Sequence, residues 1–300
     1  MIITKYSELT DRVTYDEMRK SCSLVSMRNE SLRLFFISLL FLSKYAEKYD
    51  RIVYAGLGNI EHIWKLSQLF PKCEFEIWDP ADIILPISPN ITRFREFFTD
   101  QDAEKYKKYR KKILFISNIR DTKMSGTFGG PKKETDKVVL SDMQKQLKWC
   151  KLMKPKIALL RFRLAWEKGR KNSLHKYLTG THYLQPYNSL TTDTMLSTSD
   201  YDSTQIYDAD EYDEKMAAHN LNNVCTVPDD NIWTDYIDQY GIKNRWDNIY
   251  ALYIVNMYLA TKKTYPTKLR KQIIQSIELF LDIVESQNDI HETTTNVVFE

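Results

Sequence analysis

An α/β fold with a mostly parallel sheet is what this sequence predicts, and three observations predict it. The first is Arg51 to Asp79: an apolar run (Ile52 to Ala55), a turn holding Gly56 and Gly58, an amphipathic stretch, and a second apolar run ending at Asp79. A strand, a tight turn, a helix and a second strand closing on an acid about twenty residues past the glycines form the frame of a nucleotide-type ligand site. The second observation is the alternation of strand and helix patterns that continues to about residue 170. The third is the strand-rich sequence after it. Together they predict helices on both faces of a parallel sheet, with antiparallel strands at one edge.

Residues 1–30 are polar and mixed, and read as an N-terminal arm or short helices over a sheet edge. Ser31 to Lys48 is apolar on most helical faces and reads as a buried helix. Arg33, near its start, is expected to snorkel outward, the alternative being a charge aimed at a site. Within the opening unit, Ile60, Ile63, Trp64 and Leu66 share helical spacing. Ala81 to Pro89 is a proline-broken loop, and Ile91 to Phe98 a short strand. Asp100 to Lys112 reads as a charged helix ending in Lys107, Lys108, Arg110, Lys111 and Lys112, cations that suit the negative end of a helix dipole.

Ile113 to Ser117 is the clearest strand. Asn118 and Arg120 follow it, at the end of the sheet where ligands sit in open α/β folds. Thr122 to Asp136, with three glycines and Lys132 and Lys133, reads as a mobile loop beside that crevice. Val138 to Leu152 reads as a helix and Ile157 to Phe162 as a strand. This strand runs into Arg161, Arg163, Trp166, Lys168, Arg170 and Lys171. Cations interleaved with Phe162 and Trp166 fit an RNA-contacting edge, although Trp166 equally suits a core anchor. His182 to Tyr187 and Thr194 to Thr198 read as strands, Trp246 to Thr261 and Lys268 to Ile283 as helices. No repeat or linker divides the chain, so residues 31–285 are expected to form one domain, with 286–300 a polar tail.

Bulk properties narrow the functions. A net charge of +3 on 300 residues gives no global basic field, so any nucleic-acid signal has to be a local patch. Cys22, Cys73, Cys150 and Cys225 share no ligand spacing and read as reduced thiols, and the five histidines are equally dispersed, so no metal is expected. The longest apolar run, Leu32 to Leu42, carries Arg33 and is too short to span a bilayer, so no membrane partner and an intracellular setting are expected.

Several segments taken together carry a resemblance. They are Phe41-Leu42-Ser43-Lys44, Val53-Tyr54-Ala55-Gly56 with His62-Ile63, Ile113 to Arg120, Leu184-Gln185-Pro186, Tyr212 to Met216, Lys263 to Thr267 and Gln275 to Leu281. In content, order and spacing the chain resembles the small, regulatory subunit of poxvirus-type poly(A) polymerase, over roughly residues 30–285. That family is also a cap-specific mRNA (nucleoside-2′-O-)-methyltransferase. The resemblance implies a Rossmann-like methyltransferase fold, S-adenosylmethionine as cofactor, capped mRNA and a larger catalytic chain as partners, and the host cytoplasm or virion as location.

The family's catalytic Lys-Asp-Lys-Glu set falls on Arg33, Asn118, Arg161 and Thr194, the last with Asp193 beside it. A guanidinium keeps its proton, so Arg161 cannot serve as the base that deprotonates a ribose hydroxyl. Asn118 lacks the charge of an aspartate, and Thr194 cannot orient a lysine as a carboxylate would. For the cofactor, the resemblance points to Gly56, Gly58, Asp79 and Asn118, with Ile60 standing where the family has a glycine. For cap and RNA it points to Trp166 and Asp213. The aromatic partner is replaced by Thr191, with Tyr187 or Tyr15 as substitutes, and Arg120, Arg163, Lys132 and Lys133 lie beside. The expected function is an RNA-binding regulatory subunit that has lost transfer chemistry. The alternatives are an active enzyme using Lys44 or Lys168 as base, and a structural subunit whose arginines are spent in ion pairs.

Overall fold

The computed structural model describes residues 3–22, 28–48, 50–57, 61–81, 88–110, 112–120, 132–165, 174–188, 191–224, 232–243 and 245–295. In chain order, β1 (Ile3–Lys5), α1 (Tyr15–Ser21) and α2 (Glu30–Tyr45) lead into β2 (Arg51–Ala55), α3 (Glu61–Leu69), β3 (Glu74–Trp78) and β4 (Ile91–Phe94). Next come α4 (Asp100–Tyr106), β5 (Ile113–Ser117), α5 (Lys132–Met153) and β6 (Ile157–Phe162). The strand-rich part holds β7 (Leu174–Leu178), β8 (Thr181–Tyr183), β9 (Thr194–Thr198) and β10 (Thr204–Asp208). Four helices finish the chain: α6 (Ala209–Asn223), α7 (Thr234–Ile237), α8 (Trp246–Ala260) and α9 (Leu269–Thr295).

The main sheet runs β1-β8-β9-β6-β5-β2-β3-β4. From β4 to β6 every pairing is parallel, while β9 is antiparallel to both β6 and β8. Leaving β1 and the β7–β10 ribbon aside, the strands stand in the order 3-2-1-4-5-7-6 with the seventh reversed. That is the arrangement of Rossmann-like methyltransferases, so the predicted fold class holds. The N-terminal arm adds an edge strand, β1, antiparallel to β8.

Helix α2 explains its unbroken apolar sequence by packing on all sides. Its residues 31–42 are buried, and it meets α3, α8 and α9 on one face of the sheet, while α4 and α5 cover the other. Phe36 stacks against Tyr187 and Phe280 at 5.8 and 6.0 Å. Each such buried side chain contributes about 1.5–3 kcal/mol. Asn29 starts the helix, its Oδ1 accepting from the Leu32 amide at 3.0 Å.

Several elements differ from their sequence reading. Strand β4 stops at Phe94, because Phe98 turns in to pack on Trp78, Tyr106 and Trp149. Strand β8 stops at Tyr183, ahead of Pro186 and a left-handed Tyr187 (φ 60°). The segment expected to be loop through Asp136 is helical from Lys132. Helix α9 runs on to Thr295. Cys22 is disulfide-bonded, against the expectation of four reduced thiols, whereas Cys73 and Cys150 are free and buried. Spacing along a chain carries no trace of a bond that only the fold brings together. Cys225 lies outside the described residues.

Two turns meet at the end of the sheet that ends β2 and β5. Gly56 has φ 76°, and a Cβ there would come within 2.7 Å of the Ile119 Cα. Only glycine lets the turn after β2 touch the turn after β5. The Asn118 amide completes the junction by donating to the Ala55 carbonyl at 2.9 Å.

Candidate functional site

Asn118 and Arg120 leave β5, Arg161 and Arg163 stand at the end of β6, and Arg33 enters from the first turn of α2. The fold brings these five together. Arg33 does not snorkel: it is 2% exposed. Its Nε donates to Glu30 Oε2 at 3.0 Å, its Nη2 also reaches Glu30, its Nη1 donates to Gln185 Oε1, and Nη2 lies 3.5 Å from Asn118 Oδ1. A buried guanidinium needs its donors met, and one acid plus two amides meet them here. Glu30 sits three residues before Arg33 on the same helix, a spacing readable from the chain. Gln185 comes from 152 residues away and was not assigned.

Arg120 lies 4.0 Å from buried Asp142, a carboxylate on α5 that the sequence reading missed. Arg163 lies 3.7 Å from Asp193. Arg161 makes neither a side-chain hydrogen bond nor an ion pair among the described residues, and it faces a cleft of about 360 Å³. The cleft is lined by Arg28, Arg161 and Arg163, by Glu30, Asp193 and Asp213, and by Tyr15 of the N-terminal arm.

Burial lowers the Arg161 pKa to about 9, with Arg120 and Arg33 adding repulsion against the pull of Asp193 and Glu30. The group stays cationic at neutral pH. Burial also lowers the pKa of Arg120, with Arg163 and Arg33 opposing and Asp193 and Asp142 supporting its charge. Burial acts to raise the Glu30 pKa, but the hydrogen bond and charge of Arg33, joined by Arg161 and Arg28, hold it below the usual carboxylate range. The cluster is therefore a set of like charges kept in place by a near-matching set of acids.

The predicted positions fare unequally. Thr194 is fully buried and turned away from the cleft: its hydroxyl lies 3.0 Å from His182 Nδ1 and 3.0 Å from the Tyr212 hydroxyl. In β9 it pairs with Phe162, on the opposite face from Arg161, so Asp193, one residue earlier, takes the cleft position. Asp213 lines the cleft and accepts from the Thr192 hydroxyl at 2.6 Å. Tyr187 cannot serve as a stacking partner. It is 1% exposed, with its amide donating to Asp247 at 2.7 Å and its hydroxyl to Asn248 at 2.8 Å. These α8 contacts hold its left-handed backbone next to Asn188, which lines the cleft. Lys132 and Lys133 fall in the first turn of α5 and not in a loop. Gly58, Ile60, Trp166 and Lys168 lie outside the described residues.

Of the predicted cofactor positions, Asp79 and Asn118 already have partners within the protein. Asp79 Oδ2 accepts from the Leu57 amide at 2.8 Å and Oδ1 from the Ala81 amide at 2.9 Å, so this carboxylate ties the turn after β2 to the turn after β3. Asn118 brings no negative charge, and its amide oxygen already faces Arg33. A cation delivered to the end of β5 meets Arg33, Arg120 and Arg161. Among the described residues no group of three or more side chains could hold a metal ion, and no helix is long and apolar enough to cross a membrane.

Comparison with known proteins gives a family. The solved structure described as human methyltransferase-like protein 13 in complex with SAH is similar at 12% identity, covering 68% of this chain and 96% of that one, with a TM-score of 0.33. No curated protein matches. The family described as "Poly A polymerase regulatory subunit" matches residues 3–285, nearly the whole length. The chain belongs to the poly(A) polymerase regulatory subunit family, whose name pairs it with a catalytic polymerase chain.

Proposed function

We propose that this chain is an RNA-binding regulatory subunit that holds RNA in the arginine-lined cleft and transfers no methyl group. One observation carries the reading. Arg161 holds its guanidinium in a largely desolvated cluster, beside two like charges, with no direct side-chain hydrogen bond or ion pair among the described residues, Asp193 and Glu30 acting on it only at longer range. Holding such a charge costs stability, and a phosphate entering the cleft would offset that cost with charge-assisted hydrogen bonds. The same guanidinium cannot accept a proton from a ribose hydroxyl. Lys44 is no replacement: it lies over the rings of Tyr45 and Tyr183, eleven residues and so roughly 16 Å along α2 from Arg33.

A second reading has an observation of its own. Arg33, Arg120 and Arg163 are each matched to an acid, as expected for a purely structural subunit. Arg161 separates the two readings. A short capped RNA, a cap analogue and S-adenosylmethionine are titrated into the full chain and into Arg161→Met. The expected result is RNA binding that weakens about tenfold in the variant, the value of one charge-assisted contact. RNA binding unchanged in Arg161→Met would favour the structural reading. Methylation of the RNA by the wild-type chain would overturn the loss of transfer chemistry.

A further inference from the structure

The opposite end of the sheet holds a second group of cations, exposed where the first is buried. Helix α4 gives way at Tyr106 to a short 3-10 turn, Lys107–Tyr109, and the chain enters β5 at Ile113. Lys108, Arg110 and Lys112 along this connection are exposed. The last turns of α5 run beside α4 and the turn after it, and they add exposed Lys151. Among the described residues none of these four has a carboxylate within 4.0 Å. Their neighbours Lys107 and Lys154 do, with Glu104 at 2.9 Å and Asp202 at 3.8 Å.

We infer that this patch is a second RNA surface, one that takes the phosphate backbone of single-stranded RNA without reading its bases. Three features favour a polyanion over a protein partner. Protein interfaces are depleted in lysine and centre on buried apolar side chains. Neither residues 100–112 nor residues 145–156 contribute an exposed large hydrophobic among the described residues. The single aromatic ring in the patch, Tyr109, is already covered: Arg51 lies 4.3 Å and Lys108 4.9 Å from its centroid. No free ring is offered for base stacking, so phosphates are the group the patch can take. Lastly, the C-terminal dipoles of α4 and α5 partly offset the repulsion among the cations and let them stand close together.

The patch stands independently of the cleft, at the other end of β5 and about 17 Å away by strand rise. A chain-length RNA could engage both, with backbone contacts here adding affinity and those in the cleft adding orientation.

The test uses the full chain, a short uncapped oligouridylate, and binding followed by anisotropy across a range of salt. The variant K108A/R110A/K112A/K151A alters exposed side chains only, and its melting curve checks folding. Expected are at least about a tenfold loss of affinity at low salt and a fall of about 3 in the slope of log affinity against log salt, near 0.7 for each phosphate no longer neutralised. The charge-keeping variant K108R/K112R/K151R should retain both. An unchanged slope in the quadruple variant would overturn the inference. So would loss of binding to the catalytic polymerase chain with RNA affinity intact, which would make the patch a protein interface. Arg161→Met in parallel separates the sites: it should weaken binding on top of the quadruple loss, and its failure to do so would count against the cleft alone.

Discussion

Positive charge collects at both ends of this sheet, but the two collections are built on opposite principles. At the C-terminal ends of β5 and β6 the cations are arginines, partly or fully buried, and Glu30, Asp142 and Asp193 stand against them. At the N-terminal ends they are mostly lysines in solvent, and Lys108, Arg110, Lys112 and Lys151 have no acid beside them among the described residues. A buried guanidinium is costly to desolvate and has to be fixed in one orientation by partners. An exposed ammonium costs little and stays mobile, so it adds field without geometry. The first arrangement suits orienting a ligand, the second attracting one.

Removing one member of each set should break or confirm this contrast most directly. Arg33→Ala strands Gln185 and Asn118 in the interior and leaves a cavity, for a loss of about 3–5 kcal/mol. A shift of the denaturation midpoint worth less than 1 kcal/mol, set against that estimate, would mean that the buried network does not hold the site.

Acid should distinguish the two ends next. His182, hydrogen-bonded to Thr194 behind the cleft, has its pKa lowered to about 3 by burial, with His219 adding to the effect. A free histidine titrates near 6.5, so between that pH and about 3 the unfolded chain binds a proton that the folded chain refuses. Stability is therefore complete above 6.5 and falls with acid by about 1.4 kcal/mol for each pH unit, or some 2–3 kcal/mol by pH 4.5. Glu30 adds a further loss below its unfolded pKa, because its folded pKa is depressed. Thermal melts of His182→Asn should show a lower plateau at neutral pH and a flatter acid limb. An acid limb as steep as the wild type would remove His182 as its source.

How much of this was legible depends on whether a feature is local. Ile113–Ser117, Ile157–Phe162 and Thr194–Thr198 are read to the residue, since an apolar or β-branched run bounded by polar residues identifies a strand by itself. Asp200 to Glu214 is rich in acids, and within it Asp208 ends β10 and caps α6, its side chain accepting from the Glu211 amide at 3.0 Å. That signal was present and unused. Arg33 was beyond local reading, because its burial depends on Gln185 and Asn118, which only the closed sheet brings near. Thr194 and Asp193 differ by one residue and therefore by one face of a strand, so a shift of one position in the correspondence exchanges a cleft residue for a core one.

Arg161→Met probes the contrast from the other side. It removes a desolvated cation flanked by Arg120 and Arg33 and has no hydrogen bond to break among the described residues. Stability should hold or rise by up to about 1 kcal/mol while RNA affinity falls, the exchange expected of a residue kept for binding and not for folding. A clear loss of stability would place Arg161 in the structural network instead.

The smallest effect belongs to single lysines of the patch. Lys108→Ala should change stability by no more than about 0.5 kcal/mol, since the side chain is exposed and only approaches the ring of Tyr109, at 4.9 Å, among the described residues. Its effect on RNA should be a uniform weakening across sequences and a slope change near 0.7, the share of one phosphate. A sequence-dependent loss would mean that bases are being read at this end. The division between an orienting cleft and an attracting patch would then fail, because a mobile, solvated ammonium has no fixed direction from which to discriminate one base from another.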